Sequence, residues 1–153
     1  MLKNPTNKKA LKWLFIGSGA LLGIALIVYF YFFTLRHEDT AGLSIDYTVE
    51  AIPFIKEFEK DHKAANQKYA EKIIAVKGIV TATEAADTTL NIKMADTTTG
   101  SYIIFAFQEQ HMGKAKSLKE GDNVLIKGSC SDGIYSEILG NYFISFKRST
   151  VEK

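Results

Sequence analysis

The chain has 153 residues, of which 46% are hydrophobic and 24% are charged. These proportions exclude an intrinsically disordered protein and fit one folded domain with an appendage. The net charge of +2 is unevenly distributed, because all 17 acidic residues follow residue 36, whereas four of the 19 basic residues precede residue 13. The part from Arg36 onward therefore carries 15 basic and 17 acidic residues. A net negative domain argues against binding driven by contacts with a phosphate backbone.

An uncharged run follows the basic N-terminus, residues 1–12. Residues 13–35, WLFIGSGALLGIALIVYFYFFTL, form a stretch of 23 residues without a charge. At about 1.5 Å of rise per residue, a helix of this length covers the hydrocarbon core of a bilayer, about 30 Å. A helix buried in a soluble core is the alternative, but it usually keeps a polar face, which this run lacks. The sequence therefore predicts a transmembrane helix over residues 13–35.

The charges beside the run predict its orientation. Four lysines precede it: Lys3, Lys8, Lys9 and Lys12. The positive-inside rule places this end in the cytoplasm and the rest of the chain across the membrane. The run is longer than the apolar part of a cleaved signal peptide, about 7–15 residues, and neither a small-x-small cleavage site nor a lipid-accepting cysteine follows it. We expect an uncleaved signal anchor of a single-pass membrane protein.

Three glycines lie in the predicted span: Gly17, Gly19 and Gly23. Small residues let a second transmembrane helix approach closely, so these positions are candidates for helix packing in the membrane. Glycines that are simply tolerated in a solitary span are the alternative.

Beyond the span, the sequence predicts a polar tether and then a helix. Residues 36–47, RHEDTAGLSIDY, are polar and read as the tether. Residues 53–69, PFIKEFEKDHKAANQKY, begin with a proline, which suits the first turn of a helix. Apolar residues recur at helical spacing along this segment: Phe54, Phe58, Ala65 and Tyr69. This stripe is expected to pack on the sheet that follows.

After Tyr69 the apolar period changes from near 3.6 to 2, which indicates strands. Five strands are predicted, at residues 72–82, 89–95, 101–107, 122–130 and 135–146, with a short helical link at 108–118. Glycines inside strand patterns, at Gly78, Gly128 and Gly140, indicate bulges or sharp bends. Three strands, a short helix and two strands are the layout of a five-stranded OB-fold barrel. We therefore predict a mainly β domain over residues 48–148, with a preceding packed α-helix and a tail at 149–153.

Two stretches resemble a known family. DYTVEAIPFIKEFEKDHKAANQKYAEKIIAVKGIV (residues 46–80) and LKEGDNVLIKGSC (residues 118–130) are similar to the bacterial tRNA_anti-like family. This OB-fold family is named for its likeness to the anticodon-binding barrel, and the resemblance runs from about Asp46 to Phe146. It implies an OB fold behind a membrane or lipid anchor, and hence a domain on the periplasmic side of the inner membrane. Related sequences often carry a second cysteine where this chain has Tyr142, so no structural disulfide is carried over.

The chain lacks the residue patterns of an enzyme or a metal site. Its histidines, His37, His62 and His111, are scattered, and no glycine-rich phosphate loop or G-x-S-x-G motif occurs in the soluble part. A haem chaperone of similar plan would need a histidine just beyond the barrel. The tail KRSTVEK has none and His111 is poorly placed to replace it, so we reject this function. We expect no catalytic activity, no metal and no cofactor. The single cysteine, Cys130, is either a buried thiol or the site of an intermolecular disulfide.

What remains is a binding module. Aromatic residues on the middle strands of an OB barrel are candidates for ligand contact, here Tyr102, Phe105 and Phe107. Two loops are predicted, at residues 81–89 and 130–138, and the second contains Tyr135. The Tyr135 ring is either an exposed anchor for a partner or a side chain that folds back on the barrel. We expect an accessory subunit that contacts another envelope protein or an extended ligand. Oligonucleotide binding is the alternative, disfavoured by the acidic charge and the location outside the cytoplasm.

Overall fold

The computed structural model describes residues 19, 21–31, 39–85 and 89–152, and the chain divides into two compact units, Met1–Glu38 and Asp39–Lys153. In the first unit, residues 21–31 form helix α1, whose large apolar side chains are exposed. None of the helices within the described ranges has the length and apolar character needed to cross a membrane. Much of the predicted span, namely residues 13–18, 20 and 32–35, lies outside the described residues.

Within its described residues, 39–85 and 89–152, the second unit contains seven strands and three helices. The strands are β1 (Tyr47–Glu50), β2 (Ile73–Ile79), β3 (Ala82–Ala85), β4 (Leu90–Ala95), β5 (Tyr102–Phe107), β6 (Asn123–Ser136) and β7 (Asn141–Val151). The helices are α2 (Ala51–Lys60), α3 (His62–Tyr69) and α4 (Met112–Ala115). Two 3-10 turns, Thr40–Gly42 and Glu109–His111, complete the elements.

The strands form one mixed sheet in the order β1-β2-β6-β7-β5-β4-β3. β2 and β3 follow each other directly in the chain, yet β2 pairs with β6 near one end of the strand order and β3 pairs with β4 at the other end. This segment therefore closes the sheet into a barrel. The closure is completed by the N–H of Val80 bonding Asp122 O at 2.9 Å and the N–H of Thr81 bonding Lys93 O at 2.8 Å. Counted as one bent strand, β2–β3 joins β4, β5, β6 and β7 in the predicted five-stranded barrel. The parallel strand β1 beside β2 is an addition that the sequence pattern does not indicate.

The predicted helix at 53–69 is two helices, α2 and α3, because the chain breaks at Asp61. Asp61 has an extended φ of −158° and caps α3, since its carboxylate accepts hydrogen bonds from the N–H groups of Lys63 and Ala64, both at 3.1 Å. The local preference of aspartate for capping thus outweighs continuation of one helix.

Three strand ends differ from the prediction by five residues or more: the end of β6 and both ends of β7. β6 continues to Ser136, so most of the predicted loop at 130–138 is strand. The predicted fifth strand starts six residues late, at Asn141, because residues 137–140 form the β6–β7 turn, where Gly140 adopts a φ of +67°. β7 runs to Val151, five residues past its predicted end and into the predicted tail at 149–153. Gly128 lies at a register shift between β6 and β7, as a bulge glycine should.

The core lies inside the barrel and under α2 and α3. The predicted helical stripe of Phe54, Phe58, Ala65 and Tyr69 is fully buried, which confirms that it packs on the sheet. The ring of Phe54 lies 5.1 Å from that of Phe58 and 6.0 Å from that of Phe146 on β7. These edge and tilted contacts join the helices to the barrel wall.

The domain begins with a short segment held against the barrel, here called the N-terminal strap (Asp39–Leu43), within the predicted tether at 36–47. Thr40 is completely buried. The Asp39 carboxylate lies 2.7 Å from Nε2 of His111. Nζ of the buried Lys127 donates to the carbonyl of Ala41 at 2.9 Å and to that of Leu43 at 3.3 Å. The strap is therefore packed on the barrel rather than extended away from it.

Candidate functional site

Strands β4, β5, β7 and β6 present a partly apolar outer face to solvent. Along β4 and β5 the burial alternates, so that one set of side chains enters the core and the other stays outside. Strand register aligns the outside set in rows, with Tyr102 opposite Phe143 and Phe143 opposite Ile134. We define the outer face by six residues: Lys93, Tyr102, Ile104, Ile134, Phe143 and Ser145.

Two stacked rings form the centre of the outer face. The ring centroids of Tyr102 and Phe143 are 6.1 Å apart with an interplanar angle of 21°. Nζ of Lys93 lies 5.0 Å from the centroid of Tyr102, within cation–π range. The arrangement offers two nearly parallel aromatic rings to apolar or aromatic groups of a ligand, with a positive charge at one edge.

The charges on the outer face are mostly paired. Nζ of Lys93 forms an ion pair with the Glu84 carboxylate on the neighbouring strand β3. At the other edge, the Asp132 carboxylate accepts a hydrogen bond from Oγ of Ser145 at 2.9 Å. The face therefore has little unpaired positive charge to attract a phosphate backbone.

The structure separates the three aromatic candidates on β5. Tyr102 lies on the outer face, half-buried against its neighbours. Phe105 and Phe107 are 0% and 4% exposed and belong to the core, with the ring of Phe105 5.0 Å from that of Phe146. Their proposed ligand contact needs correction, because residues 103, 105 and 107 share the inward side of a strand with period two. Neither ring can reach a ligand outside the barrel.

Tyr135 is both exposed and packed back on the barrel, so each of its two predicted arrangements is partly present. It lies on β6 and is 46% exposed, but its ring also packs 5.0 Å from that of Tyr142, across the hairpin. It points to the side opposite Ile134, towards α3, where the rings of His62 and Tyr142 are 5.8 Å apart. Tyr135 therefore does not belong to the outer face with Tyr102.

Of the three candidate packing glycines, Gly19 and Gly23 have open space around them, with no atom within 4 Å of an added Cβ. Gly17 lies outside the described residues. The proposal that these glycines pack against another helix stays a prediction.

Several exposed or half-buried apolar residues are not indicated as candidates by the sequence pattern. Phe143 and Ile134 join Tyr102 only through the pairing of β7 with β5 and β6, a register that the sequence does not reveal. In the β6–β7 turn, Ile138 is 96% exposed and Leu139 is 62% exposed. The apolar pair in EILG is the sequence signal for these two residues, but the apolar pattern assigns the segment to a strand.

A groove opens where α2 begins beside the end of β2, with a volume of about 460 Å³; we call it the α2 groove. Its lining is Glu50, Ala51, Ile52, Pro53, Lys77, Gly78, Ile79, Thr81, Met94, Ala95, Thr97 and Asn123. Exposed Ile52 and Ile79 make its mouth apolar. No sequence motif indicated this groove.

The described part of the chain holds no cluster of three or more His, Cys, Asp or Glu side chains placed to bind a metal ion. Cys130 is a free thiol and is completely buried. Burial raises its pKa to about 12, and the negative charges of Asp132 and Glu71 add to the rise. A thiol in this state is a poor nucleophile.

Comparison with known proteins identifies the family of this chain. The family profile described as tRNA_anti-like matches residues 6–140, which is most of the chain. The chain belongs to the tRNA_anti-like family. The matched range includes the predicted span and ends in the β6–β7 turn. The match of this tRNA_anti-like chain therefore extends beyond residues 46–80 and 118–130, the stretches that carry the resemblance. No curated protein matches it in sequence.

Solved structures share the fold of this tRNA_anti-like domain. A candidate nucleic acid-binding lipoprotein from Klebsiella pneumoniae is 17% identical, with 76% of this chain and 99% of that chain covered and a TM-score of 0.56. The replication factor A related protein from Methanobacterium thermoautotrophicum is 22% identical, with 54% and 81% covered and a TM-score of 0.40. At these identities the likeness concerns the fold alone, and the TM-score of the second is too low to carry an argument.

Proposed function

We propose that the chain is a binding protein rather than an enzyme. Residues 13–35 anchor it in the inner membrane, the OB domain lies in the periplasm, and the outer face contacts another envelope protein or an extended ligand. The observation that carries this proposal is the open Tyr102–Phe143 ring pair, whose neighbouring charge on Lys93 is neutralised by Glu84.

The position of the rings on the fold supports a binding role. OB domains use the face of their second and third strands for ligands, and these correspond here to β4 and β5. Tyrosine and phenylalanine provide large contact areas at low cost in side-chain entropy. Ile104 and Ile134 extend the apolar surface on either side, so a polypeptide segment with apolar side chains fits the chemistry of the face.

Anchoring is supported by the 23 uncharged residues at 13–35 and the four lysines before them. The packed N-terminal strap begins at Asp39, shortly after the predicted span. A domain tethered so closely meets membrane-bound partners at high effective concentration. Weak contacts at the outer face are then sufficient for a lasting association.

A second candidate is oligonucleotide binding, which the stacked rings and Lys93 favour. The family name and the description of the Klebsiella pneumoniae lipoprotein point the same way. Against it stands the charge: 15 basic and 17 acidic residues follow residue 35, and Lys93 is paired. We therefore place this function second.

The test is photo-crosslinking from the outer face. A benzoylphenylalanine at Tyr102 in the full chain, expressed in its native membranes, is expected to form a protease-sensitive, nuclease-resistant adduct. The same probe at Gln67, an exposed position on α3, is the control and should form none. Phe143→Ala should abolish the adduct at position 102, because it removes half of the ring pair. A nuclease-sensitive adduct would replace the first proposal with the second.

A further inference from the structure

Two exposed apolar features of the domain are left without a role by the outer face. One is the hairpin tip, the β6–β7 turn with Ile138 and Leu139. The other is the α2 groove, with Ile52 and Ile79 at its mouth. We propose that the hairpin tip of one copy docks into the α2 groove of a second copy of the chain. This inference does not rest on ligand binding at the outer face.

The two features lie at opposite ends of the same strand. Asn123, which lines the groove, is the first residue of β6, and the tip follows its last residue, Ser136. At about 3.3 Å per residue, fourteen residues of strand separate the two by roughly 40 Å of chain. Because the tip and the groove lie at opposite ends of β6, the contact that we propose is head-to-tail, between two copies.

The shapes of the two features are complementary. The tip is convex and held in one conformation, because the N–H of Gly140 bonds Ser136 O at 2.8 Å and the N–H of Leu139 bonds Ser136 Oγ at 3.2 Å. The groove is concave, and its 460 Å³ falls within the range of about 300–1,000 Å³ that takes compact ligands. Two aliphatic side chains on a tight turn fit this space.

The charges favour the same pairing. Glu137 on the tip and Lys77 in the groove form no ion pair among the described residues. Lys77 has Glu50 opposite it in the β1–β2 register, so only the Lys77 side of the groove favours the Glu137 carboxylate. Docking brings Glu137 towards Lys77. The stretch from Cys130 to Phe143 has two acidic residues and no basic one, so insertion of the tip into an anionic bilayer is disfavoured.

The proposed contact between the hairpin tip and the α2 groove is small, so we expect it to form between copies in a membrane rather than between free domains in solution. Two aliphatic side chains bury far less than the roughly 800 Å² per partner of a stable protein interface. Association of free domains in solution is therefore expected to be weak. Confinement of copies to one membrane raises their effective concentration and makes the contact observable.

The experiment uses two populations of the full chain, Ile138→Cys and Ile79→Cys, mixed in liposomes of phosphatidylcholine and phosphatidylglycerol and oxidised. Both positions are exposed, and the buried Cys130 provides a silent background. A disulfide-linked dimer is expected in the mixture and in neither population alone. Replacing Ile79→Cys by Gln67→Cys, remote from the groove, is the control and should lower the yield at least tenfold.

A charge exchange tests the register. In the same cysteine background, Lys77→Glu should reduce the yield severalfold, and adding Glu137→Lys to the tip population should restore it. Three results would overturn the inference: equal crosslinking of Ile138→Cys with itself, equal yields with the Gln67→Cys control, or an environment-sensitive dye at position 138 that reports apolar surroundings at every protein-to-lipid ratio. The last result would mean that the tip enters the bilayer. None of them affects the adduct expected at Tyr102, so the two proposals fail separately.

Discussion

At Gly133 the barrel and its covering helix approach so closely that no side chain fits between them. A Cβ on this residue would collide with the ring of Phe58 and would lie 3.3 Å from Cγ1 of Ile144. Both neighbours are buried and cannot move away without disturbing the core. The sequence places this glycine in a predicted loop, where the constraint cannot be recognised.

Gly133→Ala should therefore lower the free energy of unfolding by about 1–3 kcal/mol, as overpacking in a core does. Gly113→Ala is the matched control, because a Cβ at Gly113 meets nothing within 4 Å. Urea unfolding of the two variants measures the difference. Equal stabilities would mean that the helix does not press on β6 as described.

Cys130 is expected to react slowly with thiol reagents. Its pKa is raised from 9.0 to about 12, chiefly by burial, so at pH 8 the thiolate fraction falls by about a thousandfold. Labelling by Ellman's reagent should be slow in the native protein and fast after denaturation. The exposed Ile138→Cys provides the reference rate, and comparable native rates at the two positions would contradict the buried thiol.

Among the elements, α3 is fixed to β6 by one side chain. The Asn66 amide accepts a hydrogen bond from the N–H of Gly133 at 2.8 Å and donates to Gly133 O at 2.9 Å. The Asn66 side chain thus provides hydrogen-bond partners for both the backbone N–H and the backbone carbonyl of Gly133. The contact holds α3 against β6 after the break at Asp61.

Asn66→Ala should lower the free energy of unfolding by about 1–3 kcal/mol, since it leaves a part-buried donor and acceptor without partners. The neighbouring Gln67→Ala removes an exposed amide of the same helix and should change stability by less than about 0.5 kcal/mol. Chemical denaturation compares the two. An equal loss in both variants would assign the effect to helix propensity instead.

The Asp39 carboxylate in the N-terminal strap should make the free energy of unfolding depend on pH in the acidic range. The pKa of Asp39 is lowered, first by the hydrogen bond from the N–H of Ala41 and then by that with His111. A lowered folded-state pKa contributes stability above the ordinary value of 3.8, and this is lost as the pH falls through the folded-state value. Since Asp39 is about half exposed, the contribution is small, about 1 kcal/mol or less.

Asp39→Asn should accordingly be less stable than the parent at pH 6, and the difference should shrink below pH 4. Urea unfolding between pH 3 and pH 7 measures it. A difference that stays constant over this range would show that the carboxylate charge has no role in holding the strap.

Much of the element layout can be predicted from the sequence, because apolar periodicity and glycine positions are local signals. The stripe from Phe54 to Tyr69 and the central strands follow from them. The break at Asp61, the addition of β1 and the extension of β6 to Ser136 depend on capping and pairing that periodicity does not encode. For the outer face, the sequence pattern predicts Tyr102 as a candidate for ligand contact. It does not predict Phe143, which lies beside Tyr102 only because of the register between β5 and β7.

On the scale of the whole molecule, the distribution of charge is the argument for proposing a protein partner ahead of nucleic acid. The four lysines before the predicted span do not belong to the OB domain, and Lys93 on the outer face is paired with Glu84. Nucleic-acid binding draws most of its non-specific free energy from unpaired basic groups. The domain has the fold of oligonucleotide binders without their charge.

The full chain in detergent should therefore bind a dT12 oligonucleotide no more tightly than a Kd on the order of 10⁻⁴ M at physiological salt, the weak end of non-specific binding. Fluorescence anisotropy at two salt concentrations measures the affinity and its salt dependence. Tyr102→Ala is the matched variant and should leave the weak signal unchanged. A Kd near 1 μM that is lost in Tyr102→Ala would establish oligonucleotide binding at the outer face.

The most direct test of the central claim is the mass of the particle that mild detergent extracts from native membranes. The tagged full chain carries Ile138→Asp, so that contact between copies does not contribute, and it is compared with the same chain bearing Tyr102→Ala. A stoichiometric envelope protein that accompanies the first chain and is lost from the second is the predicted result. Identical particles from both chains would contradict binding of a protein partner through the outer face.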